Sequence, residues 1–238
     1  MYASAVVWRR WRAGHHSWFD HRLDEADWPQ RIFWVERGAL GRFHLPMGAR
    51  ILDLCCGDGY FAESFWSPGA SLVDAVDRDQ NAISLAQAIH SKGNIRYYCR
   101  DIVRRDWPGT GYDLVCFFEA IEHLSEQDGQ RVLERIRDAL APSGWLVGST
   151  TAVDEAYRGQ GNYEHDNEFD GVEALAHSLA KCLSSRESSQ ATIRHERRCI
   201  SRSRSRDQGG VSMTRSAAHA FPGASRVLGR AAARISLG

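Results

Sequence analysis

The sequence predicts an α/β fold, a doubly wound and mostly parallel sheet, and three observations carry that expectation. Five short apolar runs alternate with helical patterns between residues 49 and 150. The first run breaks at a glycine turn, Gly57-Asp58-Gly59, followed by an amphipathic stretch. The spacing leaves room for a crossover between successive strands, which favours parallel pairing with right-handed connections. A chain of 238 residues suits one such domain with additions.

Residues 1–48 are rich in aromatics and histidine, among them Trp18, Phe19, Trp28, His15, His16 and His21. Pro29 opens a helix predicted over Arg31 to Phe43, with Ile32, Phe33, Val35 and Leu40 as its apolar residues, and Pro46-Met47-Gly48 turns into the first strand. That strand, Ile51 to Cys55, contains Asp53, a carboxylate that is costly in a sheet interior without a partner. The glycine turn lets a ligand approach bare backbone, and the following helix start offers unpaired N–H groups. Phe61, Ala62 and Phe65 line one side of the next stretch.

The second strand, Ser71 to Val76, ends at Asp77, where a carboxylate can accept from both hydroxyls of a ribose. Asp74 and Asp79 are expected to face solvent or cap a helix. Asp79 and Gln80 start a helix through Ile83, Ala86 and Ile89. The third strand, Ile95 to Cys99, leads to Asp101-Ile102, and the fourth, Tyr112 to Phe117, leads to Phe118-Glu119-Ala120-Ile121-Glu122-His123. A helix from Gln127 to Leu140 carries Val132, Leu133 and Ile136 on one face, and Trp145 to Thr150 is the fifth strand. Beyond Thr151, a loop with Tyr157, Arg158, Tyr163, Glu164 and His165 precedes a helix through Val172, Leu175 and Leu179 capped by Asn167 or Asp170.

Asp53-Leu54-Cys55-Cys56-Gly57-Asp58-Gly59 resembles the first motif of class I S-adenosylmethionine (SAM) dependent methyltransferases, Asp/Glu-x-Gly-x-Gly-x-Gly, with Cys55 in place of the first glycine. The resemblance covers residues 15–182 and implies a Rossmann-like sheet. It also implies that Asp53, Cys55, Gly57 and Gly59 hold the methionine portion of SAM. Asp77, with Arg78 beside it, would take the ribose, and Asp101 and Ile102 the adenine. Glu119 would border the methyl-transfer centre, with His123 as the candidate base and Glu122 beside it as a further catalytic residue. Residues 1–48 become a helical lid that could bring His15, His16, His21 or Arg22 to the substrate. The segment after the fourth strand is similar to that of ubiquinone-type methyltransferases, which implies a small-molecule acceptor.

Two other readings stay open. Gly57-Asp58-Gly59-Tyr60-Phe61-Ala62 also fits G-x-G-x-x-A with Asp77 about twenty residues on, the fingerprint of a nicotinamide dinucleotide site. Glu119-x-x-Glu122-His123 is similar to the metal-binding segment of Hen1-type RNA 2′-O-methyltransferases, with His165 as a further ligand. No metal is assigned.

Composition excludes a membrane span, since no apolar run approaches about 18 residues. The Trp- and Arg-interleaved start is unlike a secretory leader. The six cysteines lack a C-x-x-C pair, so reduced thiols in a cytoplasmic protein are expected.

The overall net charge of zero hides an asymmetry. Residues 184–238 hold eleven arginines against three acids, a balance of +8, so the first 183 residues carry −8. The two further strands of a complete class I sheet, the last antiparallel, are not legible in this segment. The expected organisation is therefore a lid (1–48), a SAM-binding domain (49–183) and an Arg/Ser-rich tail (184–238). That tail is either a disordered RNA-binding extension or the product of a reading-frame slip near Cys182, which would leave an inactive, truncated enzyme.

Overall fold

The structure, a computed structural model, describes residues 28–43, 45–153, 169–170, 174–175, 177–179, 189–199 and 227–237. Helix α1 spans Trp28–Phe43, and strand β1 spans Ala49–Leu54. A short π-helical turn, Ala62–Trp66, replaces the regular helix expected after the glycine turn. Then come β2 (Ala70–Asp77), α2 (Gln80–Ile89), β3 (Ile95–Cys99) and β4 (Tyr112–Phe118). A 3₁₀ turn at Ile121–His123, α3 (Glu126–Ala139), β5 (Leu140–Val153) and the short β6 (Phe169–Asp170) follow. Strands β7 (Ser189–Cys199) and β8 (Val227–Leu237) complete the sheet.

The strand order is β3-β2-β1-β4-β5-β8-β7, with β6 beside β5. Strands β1 to β5 pair in parallel. Period-two alternation in β1 sends Leu52 and Leu54 to one face, where they pack with Val132, Leu133 and Ile136 of α3. Ile51 goes to the other face, with Trp66 and Ile83. Both faces are covered, so the strands read as continuous apolar runs. The Asp79 side chain caps α2 by accepting from the Asn81 N–H, and Ser125 caps α3 by accepting from the Asp128 N–H.

Four expectations are corrected. The final strand pair, illegible in the sequence, is present: β8 runs antiparallel to β5 from Trp145↔Arg234 to Ala152↔Val227, and β7 pairs with β8. Edge pairing uses backbone N–H and C=O groups that every residue carries, and arginine on an outermost strand deters further pairing, so composition hides such strands. Asp74 does not face solvent; it is buried and accepts from the Tyr98 hydroxyl at 3.1 Å and the Tyr112 hydroxyl at 2.9 Å. Val35, counted on the apolar side of α1, is exposed, because the helix docks through its glycines. A Cβ at Gly38 would strike the Phe65 ring, and one at Gly41 the Trp66 ring. Asp170 lies in β6 rather than capping a helix. His15, His16, His21, Arg22, His165 and most of the 184–238 segment lie outside the described residues.

Candidate functional site

The carboxyl ends of β1 to β5 converge on one rim, where ligands bind in open parallel sheets. Beyond β1 the chain bends through Cys55 at φ 58°, Gly57 at φ 56° and Gly59 at φ 80°. Glycine tolerates this left-handed region freely; cysteine pays about 1–2 kcal/mol there. The bend is tied to β2, with the Cys56 N–H donating to the Val76 carbonyl at 3.1 Å. Gly59 cannot bear a side chain either, because the Tyr97 hydroxyl occupies the space of its Cβ.

Asp77 organises this corner. Its carboxylate accepts from the Gly57 N–H at 3.0 Å and the Asp79 N–H at 2.9 Å, fixing the bend and the start of α2 together. Burial pushes its carboxyl up, and those two N–H donors oppose the shift. A carboxylate has about four acceptor sites, so two remain for a ligand. Arg78, exposed, follows it. Cys99 lies in register with Asp77, which places Asp101 on the same rim. Asp101 closes the next turn, accepting from the Val103 N–H at 2.8 Å and the Arg104 N–H at 3.2 Å. Ile102 is buried beside it in the core.

Asp53 stands buried below the bend, and Trp66 Nε1 donates to it at 3.0 Å. Burial raises its carboxyl to about 7; the indole N–H opposes the rise and the Asp77 charge adds to it. Burial also holds the Cys55 thiol far above its ordinary range, so at neutral pH it is a protonated, unreactive group. Cys55, Cys56, Cys99 and Cys116 are free thiols.

At the end of β4, Glu119 adopts φ 44° and its N–H donates to the Ser149 carbonyl at 2.7 Å. Arg37 of α1 meets its Oε1 at 2.8 Å, and Ser149 Oγ donates to the same atom at 2.7 Å. Glu122, one turn on, is 1% exposed and accepts from Thr150 Oγ1 at 2.8 Å. His123, half-buried, closes the 3₁₀ turn. A cavity of about 30 Å³ lies alongside, with Phe117, Ile121, Leu146 and Leu175 as apolar walls and Ser149 and Thr150 among its lining.

The structure therefore places the Cys55–Gly59 bend, Asp77, Asp101 and Glu119 at the carboxyl ends of neighbouring strands, with Asp53 and Ile102 buried beneath them. The sequence reading missed Trp66, Arg37, Ser149 and Thr150. Tryptophan and arginine were legible only as packing and surface residues until folding set each against a carboxylate. The Hen1-type metal segment is not supported: among the described residues no group of three or more histidines, cysteines or acids gathers in metal-binding geometry.

Residues 51–144 match the profile of a family described as a methyltransferase domain. Over 144 residues the chain is 31% identical to a ubiquinone biosynthesis O-methyltransferase of Paraburkholderia xenovorans, covering 57% of this chain and 58% of that protein. It is 36% identical over 131 residues to the protein of the same name from a Bradyrhizobium species, covering 51% of this chain and 50% of that one. The chain thus spans between half and three fifths of the length of these relatives. Among solved structures, the N-methyltransferase NodS from Bradyrhizobium japonicum, in complex with S-adenosyl-L-homocysteine, superposes with a TM-score of 0.61 at 19% identity, covering 90% of each chain. That likeness shows the fold. The antiparallel β8 inserted between β5 and β7 also sets this sheet apart from the dinucleotide order 3-2-1-4-5-6. No helix among the described residues is long and apolar enough to cross a membrane.

Proposed function

We propose, from the premise that residues 51–144 are a methyltransferase domain, that this chain binds SAM and transfers its methyl group to a small-molecule acceptor. The observation that carries the reading is the common rim on which the Cys55–Gly59 bend, Asp77 and Asp101 meet. The residues fit the group. Gly57 and Gly59 shape the bend that would take a methionine portion above Asp53, Asp77 keeps two acceptor sites for ribose hydroxyls, and Asp101 with Ile102 would flank the adenine. Arg78 and Glu119 border the two ends of the same site.

SAM supplies an electrophilic methyl group on a sulfonium sulfur. The chain's own work is to align the acceptor, exclude water and remove a proton. His123 and Glu122, on one turn beside Glu119, are the groups proposed to take that proton.

Calorimetry with S-adenosylhomocysteine and with NADH, on the parent and on Asp77→Ala, tests this reading. S-adenosylhomocysteine is expected to bind and NADH not to, with binding at least about tenfold weaker in the variant. NADH binding, or an unchanged S-adenosylhomocysteine affinity in Asp77→Ala, would overturn it.

A further inference from the structure

Asp101 holds one end of a single helical turn, and a guanidinium from α3 holds the other. Asp101 Oδ1 accepts from the Val103 N–H at 2.8 Å and the Arg104 N–H at 3.2 Å, and the Arg105 N–H donates to the Asp101 carbonyl at 3.0 Å. A turn this short leaves its last carbonyls without partners of its own. Arg135 supplies them. Its Nη1 donates to the Ile102 carbonyl and, at 3.2 Å, to the Val103 carbonyl, while Nη2 donates to the Arg105 carbonyl at 2.7 Å. The guanidinium also lies over the Trp107 ring, 4.6 Å from its centroid, and Trp107 Nε1 donates to the same Ile102 carbonyl at 3.0 Å. Arginine alone carries a rigid fork of N–H donors that can reach three carbonyls together. Asp101 Oδ2 faces the exposed Arg104 guanidinium at 3.6 Å, a pair that solvent screens, so this oxygen stays open to a ligand donor.

We propose that Arg135 is a positioning residue for base recognition: by clamping the carbonyl end of the 101–105 turn it holds the Asp101 carboxylate where it can accept from the adenine amino group. Asp101 then has two tasks, capping the turn through Oδ1 and offering Oδ2 to the base. A carboxylate serves both only if the backbone around it is fixed by a supporting shell. Arg135 is that shell. It reaches the turn from α3, through backbone carbonyls, and leaves the carboxylate to the ligand. The same contacts fix Ile102, which is buried beside Asp101. Without the fork, the three carbonyls must turn to water and the segment samples other conformations. Only a fraction of molecules is then ready to bind, and affinity falls by that fraction. The adenine role rests on the SAM reading above; the clamp on the turn does not.

The test compares the full-length parent with Arg135→Met and Arg135→Gln. Both variants keep a stem against Trp107 and lack the fork, so one serves if the other does not fold. Amide hydrogen exchange is measured without ligand. Calorimetry uses S-adenosylhomocysteine and S-inosylhomocysteine, whose base carries an oxo group in place of the amino group. Exchange at Val103 and Arg104 is expected to quicken at least about tenfold in the variants, with β1 and β2 unchanged. S-adenosylhomocysteine is expected to bind about tenfold more weakly, and S-inosylhomocysteine less than about twofold more weakly, so the preference for the amino base narrows. Asp77→Ala, by contrast, should weaken both compounds alike. A preference that stays as in the parent overturns the proposal, as does unchanged exchange at those two amides. Exchange that quickens equally along the whole chain overturns it too, since Arg135 would then serve general stability. A parent that binds neither compound overturns the cofactor reading, and one that binds both alike overturns the adenine role of Asp101; in either case faster exchange confined to the turn would still support the clamp.

Discussion

Trp66 donates its indole N–H to the buried carboxylate of Asp53 at 3.0 Å, while its ring stacks on Phe61 and Phe118. One side chain thereby joins the strand beneath the glycine bend to the end of β4, and it touches α1 at Gly41. Replacing it with phenylalanine keeps most of the stacking and removes the donor. Hydrogen bonds to charged groups contribute about 1.5–3 kcal/mol, so Trp66→Phe should lose about 2 kcal/mol in urea unfolding at pH 8, where the Asp53 carboxyl is ionised. A loss below about 0.5 kcal/mol would remove the hydrogen bond from the account.

Asp53 makes stability depend on pH. Its carboxyl ordinarily titrates at 3.8 and is raised to about 7 in the folded chain, so the folded state binds the extra proton between those values. Its contribution therefore falls as pH rises through that window and stays lost above it. Asp53→Asn, which keeps an acceptor for Trp66, should gain melting temperature over the parent at pH 8 relative to pH 4. Parallel melting curves at the two pH values would contradict this.

Cys55 holds a left-handed backbone that glycine adopts freely. Cys55→Gly relieves about 1–2 kcal/mol of strain and returns about 0.5–1 kcal/mol through the freer unfolded chain. A net gain of up to about 1.5 kcal/mol is expected by denaturant unfolding, with S-adenosylhomocysteine binding equal or tighter by calorimetry. Weaker binding would mean that the sulfur itself contacts the ligand.

Gly41 allows α1 to lie directly on Trp66. Gly41→Ala inserts a Cβ into that contact, and overpacking of this kind typically costs about 1–3 kcal/mol. Hydrogen exchange should then show faster opening of 28–43 with little change in α3.

Strand β8 covers the backbone edge of β5 from Trp145 to Ala152. Deleting residues 184–238 exposes that edge, which is expected to drive self-association visible by sedimentation. A monomeric, folded product would instead support the reading of this segment as a dispensable tail.

By itself the sequence determined the five parallel strands, the glycine bend and the acids Asp77 and Asp101 at neighbouring strand ends. Those features are local: apolar periodicity marks a buried strand, and a ligand-facing bend needs glycine at particular positions. Only the tertiary structure decided the partners of the buried charges. Asp74 reads as a surface acid until Tyr98 and Tyr112 arrive from two other strands, and Arg37 reads as a solvated helix residue until α1 sets it against Glu119. The same holds for β7 and β8, whose pairing draws on backbone groups common to all residues and on the open edge that β5 provides. A buried polar group must find a complement, and which one it finds depends on elements far away in the chain, information that no local pattern contains.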